Sequence, residues 1–489
     1  MVKFQKMIAV ILTATLIYLP LLSLLFFSVF EISGFSFGSI DFVELGRVIK
    51  GSSLQAFLSA TLSIGFGFVG ALGLKAIKKK QNIFKIILLT PNFLPPLVII
   101  LSVLDLTQNY FWPFSGNMDV VFAHAVINIG LCAVLIESII SSKNLSFFRL
   151  AFVEGASDFL VFKSYVKYLF ADIFYIFVMI FFLCFSSFSI PLILGGYEGR
   201  TIEVLIFELV RLEGNFAQGI LISVFEIIIF LSLFMLYRKN SQASANDQIK
   251  FSFYRKRHLI IPLASVGVAL WSLVKSSVQM FTLDYPAELL QLLPPTILKS
   301  SLISLSVGLA IYFILNLLTF ALEVKKYHRF IYHFNLTSSV LLALGAYLLK
   351  VKLNLDEYFV LSLALVAIIF PALYRARGFE LLNSLRQPDK VASTLGAKGF
   401  LKFKLFFKIN HKAYALLAAI GGFWAFGDFA VSKLILDQSS TLPLLISDLI
   451  KSYRIDLALA LNWVMLIYGG ICFLIILGVD YVLGKTSNI

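Results

Sequence analysis

Residues 173–185 read IFYIFVMIFFLCF, with no charge, amide or proline among them. Continued to Leu194, the run matches the roughly 20 apolar residues that a helix needs to cross a bilayer. It does not alternate, as a strand of a membrane barrel would. In hydrocarbon the backbone N–H and C=O groups have only each other as partners, so such a run spans as helix. Comparable stretches occupy 8–29, 54–74, 83–104, 119–141 and 216–236. In the second half they occupy 259–275, 296–321, 331–349, 357–374, 413–434 and 456–479. The expectation is an all-α integral membrane protein of about twelve transmembrane helices.

Composition agrees. Of 489 residues 59% are hydrophobic and 14% charged, whereas soluble domains carry roughly 25% charge. Low hydrophobicity is the signature of disorder, which is thereby excluded. The 41 Lys and Arg against 27 Asp and Glu give +14. With the N-terminus placed in the cytoplasm, most of that excess falls on cytoplasmic loops, the bias expected of a multi-pass membrane protein. No nucleic-acid partner is needed to explain it. An even number of spans also places the C-terminus in the cytoplasm. Cys132, Cys184 and Cys472 lie in apolar runs and read as packing residues. Neither a metal site nor a cofactor is expected.

The polar stretch RKNSQASANDQIKFSFYRKRH divides the chain, with 238–258 as a cytoplasmic linker between halves 1–237 and 259–489, each of six helices. Each half holds a long cytoplasmic loop, 142–172 and 375–412. Within them RLAFVEGASDFLVFKSYVKYLF (149–170) matches KVASTLGAKGFLKFKLFFKINH (390–411) at an offset of 241 residues. That offset pairs Gly155 with Gly396, Ala156 with Ala397, Phe162 with Phe403, and Ser187-Phe188 with Asp428-Phe429. A single offset held from loop into helix argues for duplication, with both halves oriented alike. Each loop reads as a short helix, a Gly-Ala break, and a helix with phenylalanines on one stripe: Phe159, Phe162 and Tyr165, then Phe400, Phe403 and Phe406.

A Gly-Ala-centred loop ahead of the penultimate helix of a six-helix unit resembles the EAA loop of inner-membrane permeases of binding-protein-dependent ABC importers. Arg149 and Lys390 stand where that pattern opens with Glu. SLQAFLSATLS, FLCFSSFSIPLILGG and FGDFAVSKLILDQSSTLPLLISDLIKSYR resemble the fused two-half permeases for thiamine and ferric iron, thiamine being the nearer. The resemblance implies a type I ABC importer permease in the bacterial inner membrane. It implies two copies of a cytoplasmic ABC ATPase docked at Gly155, Ala156, Ser157 and Phe162 and at Gly396, Ala397, Lys398 and Phe403. It also implies a periplasmic substrate-binding protein that delivers thiamine or its phosphates. Ferric iron is the alternative cargo, and an ion-coupled secondary transporter the alternative class.

The chain supplies no engine and no catalytic residue. Its one phosphate-loop lookalike, Gly478 to Gly484-Lys485-Thr486, has five residues between the glycines where four are required. Polar side chains in apolar spans are costly and tend to face partners or a water-filled path. The path candidates are Asp428, Ser186, Ser187 and Asn128, with Phe188 and Phe429 as gating aromatics. Glu137 and Glu226 read as carboxylates that snorkel from span ends. His124 reads as a packing residue, and Asn316 and Asn335 as partners between helices. The glycines and serines of SIGFGFVGALG permit close helix approach.

Overall fold

The computed structural model describes residues 2–32, 41–77, 79–110, 116–143, 146–196, 199–235, 253–319, 338–397, 399–438 and 440–486. Among them the regular structure is entirely helical. In the first half the helices are α1 (Val2–Ile32), α2 (Phe42–Lys75), α3 (Gln81–Phe93), α4 (Pro96–Asn109) and α5 (Asn117–Ser142). There follow α6 (Ser146–Val153), α7 (Asp158–Phe185), α8 (Ser189–Leu194), α9 (Ile202–Phe207) with a π-helical turn Glu208–Leu212, and α10 (Phe216–Met235). The second half gives α11 (Ile260–Thr282), α12 (Ala287–Leu318), α13 (Ser339–Leu353), α14 (Glu357–Leu373) and α15 (Phe379–Ser384). It closes with α16 (Arg386–Thr394), α17 (Phe400–Phe426), α18 (Ala430–Ile435), α19 (Leu442–Lys451) and α20 (Ile455–Thr486).

Among the described residues seven helical stretches are long and apolar enough to cross a membrane, and an eighth if a bent pair counts as one span. That pair is α3 and α4, which meet at 86° within the expected span 83–104, where prolines at 91, 95 and 96 were expected to break the helix. Pro95 forces the residue before it out of helical geometry, and Leu94 takes φ −72°, ψ 146°. Pro96 then opens the new helix, where its missing N–H costs nothing. The expected spans at 8–29 and 216–236 give shorter apolar stretches, Ile11–Phe27 and Phe216–Ile228. Residues 320–337, including most of the expected 331–349 span's first half and Asn335, lie outside the described residues, as does 236–252 of the linker. The fifth span begins earlier than expected, because α7 runs without interruption from Asp158 into the apolar 173–185 stretch.

The helices group into two compact units, neither continuous in sequence. The larger is Met1–Phe37, Ile206–Leu231 and Gln279–Ile489; the smaller is Gly38–Leu205 and Ser232–Val278. The larger unit thus takes its first helix from the start of the chain. There α1 packs on α13 and α14, and Ser23 donates its hydroxyl to the Gly345 carbonyl at 2.6 Å. In the smaller unit α11 packs on α4. Ser102 donates to the Ala269 carbonyl at 3.1 Å and accepts from Ser272 N at 2.9 Å, and Ser272 donates to the Val98 carbonyl at 2.8 Å. The buried cluster Leu74, Leu88, Ala133, Leu259 and Val266 carries α2, α3, α5 and α11 together. Close approach of α2 to α5 depends on Gly67, where a methyl group would collide with Cys132.

Two buried carboxylates of the smaller unit each have a lysine beside them. Asp105, fully buried, is bound by Lys275, by Trp271 Nε1 at 2.8 Å and by Asn109 Nδ2 at 2.7 Å. Glu137 does not snorkel. It is buried and held by Lys85, by Gln81 at 3.0 Å and by Ser141 at 2.6 Å. Glu226 in the larger unit is likewise buried. For Glu137 the charge-assisted bonds from three donors offset the cost of burial.

Candidate functional site

Two glycine turns share one geometry. Helix α6 ends at Gly155, whose φ is +84°, and α16 ends at Gly396, whose φ is +78°. Left-handed backbone costs glycine nothing and is the usual way to close a helix. In both turns the alanine after the glycine donates its N–H five residues back at 2.9 Å, Ala156 to Ala151 and Ala397 to Ala392. Ser157 then caps α7, accepting from Leu160 N at 3.4 Å. Lys398 lies outside the described residues, and α17 opens instead on Gly399 at φ +52° with no side-chain cap.

The apolar stripe expected on the second helix of each loop divides. Phe159 is 75% exposed, Phe162 packs between Phe68 and Phe253, and Tyr165 is buried with its hydroxyl 3.1 Å from that of Tyr254. A spacing of i, i+3, i+6 drifts by about 60° per step on a 3.6-residue helix, enough to turn from surface to core. Phe403 packs on Phe407, and Phe406 is buried. Outward at the turns themselves are Leu150, Val153 and Phe159 on one side, and Val391 and Leu395 on the other.

Each long helix then breaks. After α7, Ser186 returns its hydroxyl to the Phe182 carbonyl at 2.8 Å and Ser187 N reaches only the Cys184 carbonyl. Pro191 has no N–H for the Ser187 carbonyl, so the helix cannot continue unbroken through this point. After α17 the break falls at Gly427, and Asp428 Oδ2 accepts from Ser432 N at 2.9 Å, capping α18. Phe188 and Phe429, the residues that enter α8 and α18, are 2% and 1% exposed. Asn128 is buried beside the first break, donating to the His124 carbonyl at 2.9 Å and lying 3.6 Å from Cys184 Sγ. His124 in turn meets Gln55 at 2.7 Å, in keeping with a packing role. Asn128, Ser186, Ser187 and Phe188 belong to the smaller unit, Asp428 and Phe429 to the larger.

The far end of α18 is gripped by cations. Lys350 donates to the Ile435 carbonyl at 2.9 Å, to Asp437 at 2.6 Å and to Glu357 at 3.1 Å. Arg211 donates to Asp437 at 3.0 Å and to the Leu436 carbonyl at 2.8 Å. Together they satisfy carbonyls left open at a helix C-terminus. The Lys350 ammonium, with Arg211, holds the Asp437 carboxyl below the usual carboxylate range.

Sequence reading missed one recurring contact. Ser52 accepts the N–H of Ile202, the first residue of α9, at 3.0 Å. Ser300 accepts the N–H of Leu442, the first residue of α19, at 2.9 Å. Both serines are buried, and both stand in a Ser-Ser-Leu tripeptide, 52–54 and 300–302. That repeated tripeptide was the available signal.

Against known proteins, the chain is 25% identical over 477 residues to the thiamine transport system permease protein ThiP of Haemophilus influenzae, covering 88% of each. This chain is similar to a permease. The similarity runs through nearly its whole length and agrees with the fused-permease resemblance read from its motifs. No family model and no solved structure matches it.

Proposed function

We propose that this chain is the transmembrane permease subunit of an ABC importer, carrying thiamine or its phosphates from a periplasmic binding protein. A separate cytoplasmic ATPase, present in two copies, powers it. The observation that carries this reading is the paired turn: Gly155 and Gly396 close short helices with the same hydrogen bond and similar φ. Each turn is flanked by outward apolar side chains that need a partner. Two related docking segments suit two copies of one ATPase, and the sequence holds no phosphate loop of its own. The halves 1–237 and 259–489 are read as a parallel duplication. In support, α7 and α8 shifted by 241 residues fall on 399–426 and 430–435, where α17 and α18 lie.

In this reading ATP binding draws the two docking segments together and turns the path outward; hydrolysis returns it. Rigid α7 and α17 transmit the movement from each turn to the breaks at Ser186–Phe188 and Gly427–Phe429. Hydroxyls at Ser186 and Ser187 and the Asn128 amide at one break, and the Asp428 carboxylate at the other, would suit a cationic solute, with Phe188 and Phe429 as gating aromatics. Thiamine is favoured over ferric iron by the similarity to ThiP.

The test is uptake of labelled thiamine by a strain lacking this chain and any second thiamine system, with and without the chain restored. Restoration of uptake that requires the ATPase is expected. Restored ferric-iron uptake without thiamine uptake would remove the substrate; uptake driven by an ion gradient without the ATPase would remove the mechanism.

A further inference from the structure

The opening turns of α7 and α17 carry a feature that the docking turns do not use. Lys163 and Lys167 lie four residues apart on α7, and Lys404, Lys408 and Lys412 lie four apart on α17. Residues four apart share one helix face. At the offset of 241 residues Lys163 matches Lys404 and Lys167 matches Lys408. Lys163, Lys167, Lys408 and Lys412 are exposed and Lys404 is half-buried. Among the described residues none of the five forms a salt bridge.

The same faces carry outward apolar side chains. On α17 these are Leu401, Leu405, Ile409 and Leu416, 62%, 41%, 48% and 48% exposed. With the lysines they complete the spacing i, i+3, i+4, i+7, i+8, i+11, i+15 from Leu401, a single helical stripe. On α7 the stripe runs through Leu160, Lys163 and Lys167 to Phe170 and Phe174. On α7 the lysines precede the outward Phe170 and Phe174, and on α17 they alternate with the outward leucines and isoleucine over the first half of the helix. An outward stripe of this kind suits the boundary of a bilayer: apolar side chains enter the acyl region, and lysine stems lie along them with their ammonium groups at headgroup level.

We infer that these two stripes are paired seats for anionic phospholipid headgroups at the inner face of the membrane. The charge identifies the occupant. Each unpaired ammonium needs an anion, and a phosphodiester headgroup brings one attached to acyl chains that cover the adjacent leucines and phenylalanines. A zwitterionic headgroup offers no net charge to match. The seats lie on the two helices that begin at the glycine turns, so a bound lipid bears directly on the elements that would carry movement inward. The inference rests on these helices meeting a bilayer and is independent of what the chain transports.

The experiment uses the full chain in detergent, titrated with phosphatidylglycerol or phosphatidylcholine, with bound lipid counted by native mass spectrometry. The expected result is a preference for phosphatidylglycerol of about fivefold or more, since a lysine near an anionic surface gains roughly that factor. The variant K163Q/K167Q/K404Q/K408Q/K412Q should lose the preference, and the corresponding five-arginine variant should keep it. Should the fivefold glutamine variant not fold, K163Q/K167Q and K404Q/K408Q/K412Q made separately should each lower the phosphatidylglycerol count. Equal binding of the two lipids by the unaltered chain overturns the inference, as does an unchanged preference in the glutamine variants. Protection of these lysines from acetylation by an added ATPase subunit, with none from phosphatidylglycerol vesicles, would make the stripes a protein contact and overturn it as well. Loss of thiamine uptake has no bearing on these readouts.

Discussion

The two glycine turns have nearly identical backbones and different supports. Phe148, on α6, is 3% exposed and packs edge-on against Tyr165 at 5.6 Å, and Val161 on α7 is buried. Shifted by 241 residues, these positions are Asp389 and Lys402. There Lys402 donates to Asp389 at 2.7 Å and to Ser393 at 2.6 Å, tying α16 to α17. One turn is held by apolar packing, the other by an ion pair, and the glycine and its following amide are common to both. The backbone geometry of the turn is therefore set locally by the glycine and the helix-closing hydrogen bond, while the clamp between short and long helix is free to change its chemistry.

The strongest way to break this comparison is Phe148→Ala. Removing a buried ring costs about 3–5 kcal/mol, so hydrogen exchange across 146–165 should rise sharply while 386–402 is unaffected. Next come Gly155→Val and Gly396→Val. Neither glycine has an atom within 4 Å of an added Cβ, so the cost is conformational, about 1–3 kcal/mol. Both variants should insert in the membrane, and ATP hydrolysis by the proposed ATPase partner should become uncoupled from uptake to a similar degree; a loss confined to one would show that the turns are not equivalent. Lys402→Met should loosen the second turn by about 1 kcal/mol, and added salt should loosen the unaltered second turn but not the first. The exchange Asp389→Phe with Lys402→Val should abolish that salt response. Ser157→Ala should cost only about 0.5 kcal/mol by thermal unfolding, the low end for a cap, because its bond is 3.4 Å long.

The smallest effect concerns pH at the end of α18. The Asp437 carboxyl titrates below its ordinary value through Lys350 and Arg211. Its contribution is thus present above the ordinary carboxylate pKa of about 4 and fades as pH falls through the lowered value. Hydrogen exchange at 435–438, taken relative to the unstructured rate at each pH, should be flat from neutral pH to about 5 and rise only in stronger acid. The rise should be absent in Asp437→Asn.

Much of this was legible in residue order. Gly155 and Gly396 announce their turns because positive φ selects glycine, and Pro95-Pro96 announces a break because proline removes a donor and restricts its neighbour. The inward turn of Phe162 and Tyr165 was not legible: an apolar stripe records that a face is buried without recording where the helix rotates from surface to core. The Glu137 cluster was hidden for a related reason. Lys85, Gln81 and Ser141 are spread over two helices, and only their packing turns scattered polar residues into a shell around one carboxylate. Nor could the sequence say that α11 would rest on α4, since the serines at 102 and 272 look like any small residues in an apolar helix.

The discontinuous make-up of the two units bears on synthesis. The larger unit draws on Met1–Phe37 and on Gln279–Ile489, so α1 must wait, its serine at 23 without the carbonyl at 345, until the residues some three hundred positions later have been translated. A nascent protein of this design holds a helix short of its packing partners for most of its assembly, and truncation after the midpoint strands that helix instead of leaving a finished half.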